Sequence, residues 1–484
     1  MDPFTPKPSL LKNILVRLLS FGVIIFAVRF AYFVAIRGQS CVAGDDFCLF
    51  NVRHVSSSAS VKSQKYVDYY SSVFQDLIAE GFLSPNSKCL CIDTVTGDEV
   101  QALKRIGVSE SIGISKKESP PLVLRGQAWN QPFKGNTFDF EFSSGLERSG
   151  LPAELLGSEI CRTLKPGGFL VAHVMAKDAY SFQSFLDLFN CLTLIRSREI
   201  DDTDSSSSTI REIVMKKESE ERQNSPLKAI SGNKCSVLEL KREMIRNAES
   251  LIEQEPLKPW ITLKRNLRNI KYLTSMVDIS FKRKYVYIDV GARSYGSSIG
   301  SWFKKQYPKQ NKTFEIYAIE ADKAFHEEYK SKMKKNVKLL PYAAWIRNET
   351  LFFEITRDPR KKKAAEKGGG MGRIHPVQSS ASYLKDVDKI QGFDLAEWVK
   401  NVVSERDFVV MKMDVEGTEF HLIPRLIETG AICLIDEVFL ECHYNRWQRC
   451  CPGQRSPEHQ KTYKQCLDLF QSLRARGVLV HQWW

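Results

Sequence analysis

The chain has 484 residues, 43% of them hydrophobic and 26% charged, with a formal net charge of +13. That length is too great for one ordinary core and predicts two or three domains, while the hydrophobic fraction excludes a largely disordered chain. The basic balance comes with no zinc-finger, RNP or helix-turn-helix pattern, so nucleic acid is not expected as a partner. Its basic runs, Lys282–Lys284, Lys332–Lys335 and Arg360–Lys363, are scattered as on solvated faces. An anionic membrane surface or a polyuronate is the sharper alternative.

Leu10–Ile36 reads as a transmembrane signal anchor after a short cytosolic tail, residues 1–9. Leu18–Ile36 is apolar except for Ser20 and Arg29. Arg29 costs about 2.5–3.5 kcal/mol near a bilayer centre, and the Leu, Ile, Val and Phe of the span return about 4–7 kcal/mol. Lys7, Lys12 and Arg17 precede the span, while Asp45 and Asp46 follow it. The positive-inside rule then leaves the N-terminus cytosolic and sends the bulk into the lumen, as a single-pass type II protein of the Golgi or another endomembrane. No small-residue cleavage site is evident; the rival reading is an organelle transit peptide.

Residues 37–65 are polar and aperiodic, as in a stem. From Tyr66 the pattern is α/β. Tyr66–Glu80 has helical spacing, Lys88–Asp93 is a strand, Asp98–Ile106 a helix and Ser111–Ser115 a strand. Gln131-Pro-Phe to Phe138-Asp-Phe140 and Leu164-Lys-Pro-Gly-Gly168 follow, then the strand Phe169–Met175. Leu192–Asp201 and Thr209–Lys217 read as a closing antiparallel hairpin. These motifs resemble a class I (type 11-like) methyltransferase domain over residues 66–218. The resemblance is degenerate at the cofactor end. Asp93 is followed by a single glycine, Gly97, and the second strand ends in Ser115, with no acid to hold a ribose. This domain is therefore expected to bind no cofactor.

Residues 219–255 read as linker and helix, and residues 256–484 as a second α/β domain. Tyr285–Val290 is a buried strand ending in Asp289-Val-Gly-Ala292, followed by Gly296 and an amphipathic helix, Ser297–Gln306. Phe314–Ile319 is a second strand ending in Glu320. An acid there is the usual acceptor for a ribose diol. Lys338–Ala344, Asp407–Asp414 and Ile432–Leu440 complete the predicted strands, with Val415-Glu-Gly-Thr-Glu419 and Glu441-Cys-His-Tyr444 after the last two. Arg357–Ser382, with its basic run and Gly368-Gly-Gly370, reads as an irregular insertion or a mobile loop.

From Tyr285 to the C-terminus the order of motifs resembles the FkbM-type S-adenosylmethionine-dependent methyltransferases. The most specific part is Lys412-Met-Asp-Val-Glu-Gly-Thr-Glu419. The family's Asp-x-Gly-Ala-Asn-x-Gly is altered here, with Arg293 for the Asn and one extra residue before Gly296. The layout also resembles plant membrane-anchored methyltransferase-like proteins, which implies a cell-wall glycan or a small molecule as acceptor, an acidic glycan among them. The implied fold is two tandem Rossmann-like class I methyltransferase domains after the transmembrane helix. The resemblance implies that Asp289 orders the glycine turn, that Gly291 and Gly296 let S-adenosylmethionine approach, and that Glu320 and Ala343 complete the cofactor shell. It implies Asp414, Glu416 and His443 as the acceptor-side acids and base.

Acids in a first helical turn also serve as caps, which is the plain alternative for Glu416 and Glu419. Two rival functions remain: a catalytically silent scaffold, and a luminal glycosyltransferase using Asp386-Val-Asp388 or Asp202-Thr-Asp204. The twelve cysteines do not make a disulfide scaffold. Cys442, Cys450, Cys451 and Cys466 lie close enough in sequence to pair, but they lack CxxC spacing. No metal is expected, with or without His443.

Overall fold

The computed structural model describes residues 55–146, 153–200, 210–218, 235, 239–256, 258–332, 336–356, 371–375, 387–444 and 461–483. The candidate membrane span lies outside them. Among the described residues no helix is long and apolar enough to cross a membrane. The chain divides into two compact units, residues 1–62 and 63–484, and the second carries both predicted α/β domains. A helix, Val55–Ala79, begins inside the predicted stem.

The first sheet is built from β1 (Cys89–Ile92), β2 (Ser111–Ser115), β3 (Val123–Arg125), β4 (Phe138–Ser143), β5 (Leu164–Val174), β6 (Leu192–Ile200) and β7 (Ile210–Lys217). Its order is β3-β2-β1-β4-β5-β7-β6, parallel except for β7, which runs antiparallel to both β5 and β6. The predicted hairpin thus forms. Alternation along β1 explains the burial on both faces: Cys89 and Cys91 pack with Phe74, Phe140 and Phe142, while Leu90 and Ile92 pack with Ile160, Leu170 and Phe185.

The second sheet contains β8 (Tyr285–Val290), β9 (Phe314–Ile319), β10 (Val337–Leu340), β15 (Phe408–Met413), β16 (Glu437–Glu441) and β17 (Leu479–Trp483). Its order is β10-β9-β8-β15-β16-β17, and every pair is parallel. This is the strand order 3-2-1-4-5-6 of a doubly wound Rossmann fold. Among the described residues this sheet has no antiparallel member, so only the first sheet closes with the hairpin, as expected for residues 192–217.

The predicted third strand, Lys338–Ala344, is two strands. Pro341 has no N–H to continue the ladder. The chain breaks after Leu340 and re-enters a separate four-stranded sheet made of β11 (Ala343–Trp345), β12 (Glu349–Thr356), β13 (Met371–His375) and β14 (Val387–Asp394). Its order is β11-β14-β12-β13. The predicted irregular stretch therefore contributes β13, paired antiparallel with β12. Gly368–Gly370 lie outside the described residues. The predicted helix Ser297–Gln306 is a single wide turn, Ile299–Phe303, and Ile432–Leu440 is a short 3-10 turn followed by β16.

The two halves meet at the amino edge of the second sheet. Asp436, just before β16, accepts a hydrogen bond from the Tyr180 hydroxyl (3.2 Å) and an ion pair from Lys241 (2.8 Å). Nearby, the backbone N–H of Asp278 donates to Asp178 (2.6 Å), and Phe185 stacks edge-on against Phe281. Among the described residues three disulfides form: Cys161–Cys191, Cys235–Cys433 and Cys442–Cys466. The last joins two of the four clustered cysteines, while Cys450 and Cys451 lie outside the described residues.

Candidate functional site

A cleft of about 750 Å³, counting its open mouth, lies at the carboxyl edge of the second sheet. Its floor is made by the exits of β8 (Val290, Gly291, Arg293), β9 (Glu320, Asp322) and β15 (Asp414, Glu416). One wall comes from Tyr342–Ala344 and, in the four-stranded sheet, Phe353 and Ile374.

Glu320 sits on the floor, 7% exposed. Its two carboxylate oxygens accept backbone N–H groups from Arg293 (2.5 Å) and Asp322 (2.6 Å). Burial pushes its pKa up to about 7 against those two hydrogen bonds. Arg293 has a positive φ of 53°, which points its N–H at Glu320 and suits the Asn of the related motif better than an arginine.

Gly291 also has positive φ, 76°, and a Cβ there would lie 1.8 Å from the Asp414 carbonyl oxygen. The glycine is therefore required by the crossing of two chain segments, before any ligand is considered. Gly296 meets nothing within 4 Å and does not line the cleft. Ala343 lines it from β11.

Asp289 is fully buried and accepts the Ser298 hydroxyl from beyond the turn that follows Gly291. In the parallel register it stands opposite Lys412 of β15. Lys412 Nζ lies 3.7 Å from Asp289 Oδ1 and 3.3 Å from Asp414 Oδ2. Burial would lower the pKa of this lysine, but Asp414, Asp289 and Glu441 outweigh it and hold the pKa above the usual lysine value. Burial raises the pKa of Asp289, with Lys412 opposing. Burial would also raise that of Asp414, but Lys412 and His443 keep it below the usual carboxylate range.

His443 follows β16 and is 4% exposed. Its Nδ1 lies 3.2 Å from Glu419, which also accepts the His443 backbone N–H at 2.5 Å. Its Nε2 lies 3.6 Å from Asp414 and 3.4 Å from Glu416. Burial would depress the imidazole pKa, but Glu419, Glu416 and Glu441 push it up to about 10. The structure thus brings Asp414, Glu416 and His443 together, and the two acids line the same cleft as Glu320, whereas His443 does not line it. Sequence reasoning missed Lys412 as the partner of both acids. It also took Glu419 only for a cap, although this fully buried acid ties the helix Glu419–Glu428 to His443. The signal for Lys412 was its two-residue spacing from Asp414 along one strand face.

At the matching edge of the first sheet, side chains that follow β1 and β4 bond one another. Thr94 donates to Glu99, and Ser144 donates to the other oxygen of that acid (2.7 Å). Leu122 and Val123 pack over Gly97, where an added Cβ would lie 3.0–3.1 Å from them. The corresponding second strand ends in Ser115.

A family model described as a domain of unknown function, DUF7870, matches residues 245–351 and 372–484. Comparison with curated proteins finds no match. Among solved structures, the chain is similar to a SAM-dependent methyltransferase from Aquifex aeolicus at 16% identity and a TM-score of 0.24, over 29% of this chain and 88% of that one. It is likewise similar to an S-adenosylmethionine-dependent methyltransferase from Mesorhizobium loti at 12% identity and a TM-score of 0.23, over 28% of this chain and 95% of that one. The Rossmann-like assignment rests on the strand orders of the two sheets.

Proposed function

We propose that the six-stranded half is an S-adenosylmethionine-dependent methyltransferase domain and that the seven-stranded half braces it without binding the donor. The observation that carries the reading is Glu320, an acid ending the second strand on the floor of the open cleft. A carboxylate has about four acceptor positions. After taking the Arg293 and Asp322 N–H groups, Glu320 keeps capacity for the two hydroxyls of a ribose. The rest of the cleft suits a nucleoside with charged ends. Phe325, Phe353 and Ile374 supply apolar surface, and Arg293 supplies a cation for a carboxylate.

Bound there, S-adenosylmethionine would supply an electrophilic methyl group, and the protein's part would be positioning. Asp414 and Glu416 lie at the cleft's edge on the β15 side, where they would orient an acceptor hydroxyl and take its proton. The same two acids would repel an acceptor carboxylate. The acceptor class is thus a hydroxyl, which an acidic glycan could also present. The setting we propose is luminal, behind the Leu10–Ile36 anchor. The three disulfides support an oxidising compartment.

Calorimetric titration of S-adenosylmethionine into the full-length chain in detergent tests the reading. One donor per chain is expected, unchanged by Asp93→Asn. No binding would favour a silent scaffold, and two donors per chain would show the first half to be competent.

A further inference from the structure

We propose that Asp414, Glu416 and the Nε2 of His443 form a binding site for one first-row divalent cation at the edge of the cleft. Each residue offers a ligand atom, and these atoms lie within 4.8 Å of one another. His443 Nε2 is 3.6 Å from Asp414 Oδ1 and 3.4 Å from Glu416 Oε2. Metal–nitrogen and metal–oxygen bonds of about 2.1 Å at a tetrahedral angle place ligand atoms about 3.4 Å apart. Those two separations therefore need little closure. A mixed set of one imidazole and two carboxylates suits Mn²⁺ or Zn²⁺ better than Ca²⁺, which prefers an all-oxygen shell.

The imidazole is held as a ligand would be. Glu419, with no exposed surface, lies 3.2 Å from Nδ1. A carboxylate on one ring nitrogen fixes the tautomer and turns the other nitrogen toward the metal. The set is thus more than an acidic patch, since a buried and oriented nitrogen donor faces the two acids.

A separate feature points the same way. Asp289 Oδ1 is fully buried and has no hydrogen-bond partner. Buried carboxylate oxygens are normally satisfied. Lys412 Nζ stands between two demands, 3.3 Å from Asp414 Oδ2 and 3.7 Å from Asp289 Oδ1. A cation on Asp414 would let Lys412 close on Asp289 and give that oxygen its partner.

Cation binding itself does not require the methyl-donor reading. Its use does rest on that reading: a cation here would make an acceptor hydroxyl more acidic, beside the methyl group. The test is a titration of Mn²⁺ into the full-length chain without donor, followed by the loss of the free-ion electron paramagnetic resonance signal. One equivalent should bind at micromolar concentration, with Zn²⁺ competing. Asp414→Asn and Glu416→Gln should each weaken binding by at least about tenfold, and Glu419→Gln by about 10–100-fold, as for other groups that orient a ligand. His443→Gln should abolish it. Because that variant sits at a buried hub, Glu416→Gln with an unchanged circular dichroism melt is the deciding variant. Uptake only at millimolar Mn²⁺, or uptake unaffected by both Asp414→Asn and Glu416→Gln, overturns the site. Calorimetry with S-adenosylmethionine on the same samples separates the two readings. Donor binding without Mn²⁺ binding sinks only the cation site, and Mn²⁺ binding without donor binding sinks only the donor reading.

Discussion

β1 and β8 open two sheets that begin with the same order, third strand, second, first, fourth, yet their carboxyl edges differ. Beyond β1 the chain fills the edge with itself: Thr94 and Ser144 satisfy Glu99, while Leu122 and Val123 cover Gly97. Beyond β8 and β9 the edge stays open, with Glu320 and Asp414 on the floor of the cleft. The route of the chain after the second strand makes the difference. In the first half, a short loop leads straight to β3 and lays Leu122 over the edge. In the second half, β10 stops at Pro341, and the chain leaves to build a four-stranded sheet that stands as a wall beside the edge. The second edge is thus open where the chain leaves it for another sheet, and the first is covered where the chain returns over it.

Gly291→Ala should have the largest effect on this contrast. A Cβ 1.8 Å from the Asp414 carbonyl oxygen, at a φ of 76°, has no room to relax. We expect a loss of more than about 4 kcal/mol, or no folded six-stranded half. Gly97→Ala, at a φ of 81° with contacts of 3.0–3.1 Å to side chains, should cost about 1–3 kcal/mol. Gly81→Ala, at a φ of 81° with nothing within 4 Å, isolates the backbone strain at about 1–2 kcal/mol. Urea unfolding of the three variants gives the ranking. Equal losses at Gly291 and Gly81 would remove the crossing as the reason for Gly291.

Glu320→Gln should weaken donor binding by about 1.5–3 kcal/mol, because a neutral amide replaces a charged acceptor. The wild-type chain should also gain donor affinity as pH rises through about 7, where the Glu320 carboxyl ionises. The Gln variant should lack that rise. Calorimetry at pH 6 and pH 8 measures both. A pH-independent wild type would remove Glu320 from the ribose role.

Glu141 supplies the matching test in the seven-stranded half. It is fully buried on β4 and accepts the Thr163 hydroxyl (2.7 Å), and its other oxygen has no partner. Burial pushes its pKa up from 4.5 to about 8. A carboxyl raised on folding stabilises fully below the unfolded pKa and loses that contribution as pH rises through the folded one. Between pH 7 and pH 9 the loss should be about 1 kcal/mol. Glu141→Gln should remove that slope. Hydrogen exchange of β4 and β5 peptides reads it locally, and equal slopes in both proteins would show that Glu141 is not the titrating group.

Tyr180→Phe should have the smallest effect. It removes one hydrogen bond to Asp436, worth about 1 kcal/mol. Because Asp436 precedes β16 at the edge opposite the cleft, donor affinity should stay within twofold. A larger change in affinity would mean that the first half acts on the cleft through the sheet.

Local chain geometry made much of this legible in advance. The apolar period along Tyr285–Val290, Phe314–Ile319 and Asp407–Asp414 marked three central strands, and the strand ends put Glu320 and Asp414 at one edge. The hairpin of β6 and β7 was visible as two runs joined by a serine-rich turn. A period of two determines which face a residue takes, and a strand's end determines which edge it reaches, whatever the partner.

Partners across long separations were decided only by the tertiary structure. β13 exists because β12 lies alongside it, and its own five residues carry no strong signal. Lys412 faces Asp289 through the register of two strands far apart in sequence, so neither residue announces the other. Glu419 reaches His443 across a separation of 24 residues, and Cys235 pairs with Cys433 across 198. The alternation of a strand is encoded in neighbouring residues, whereas these contacts are encoded in how sheets and crossovers pack. Packing is a property of the whole chain, and it turned one strand end into a filled edge and the other into a cleft.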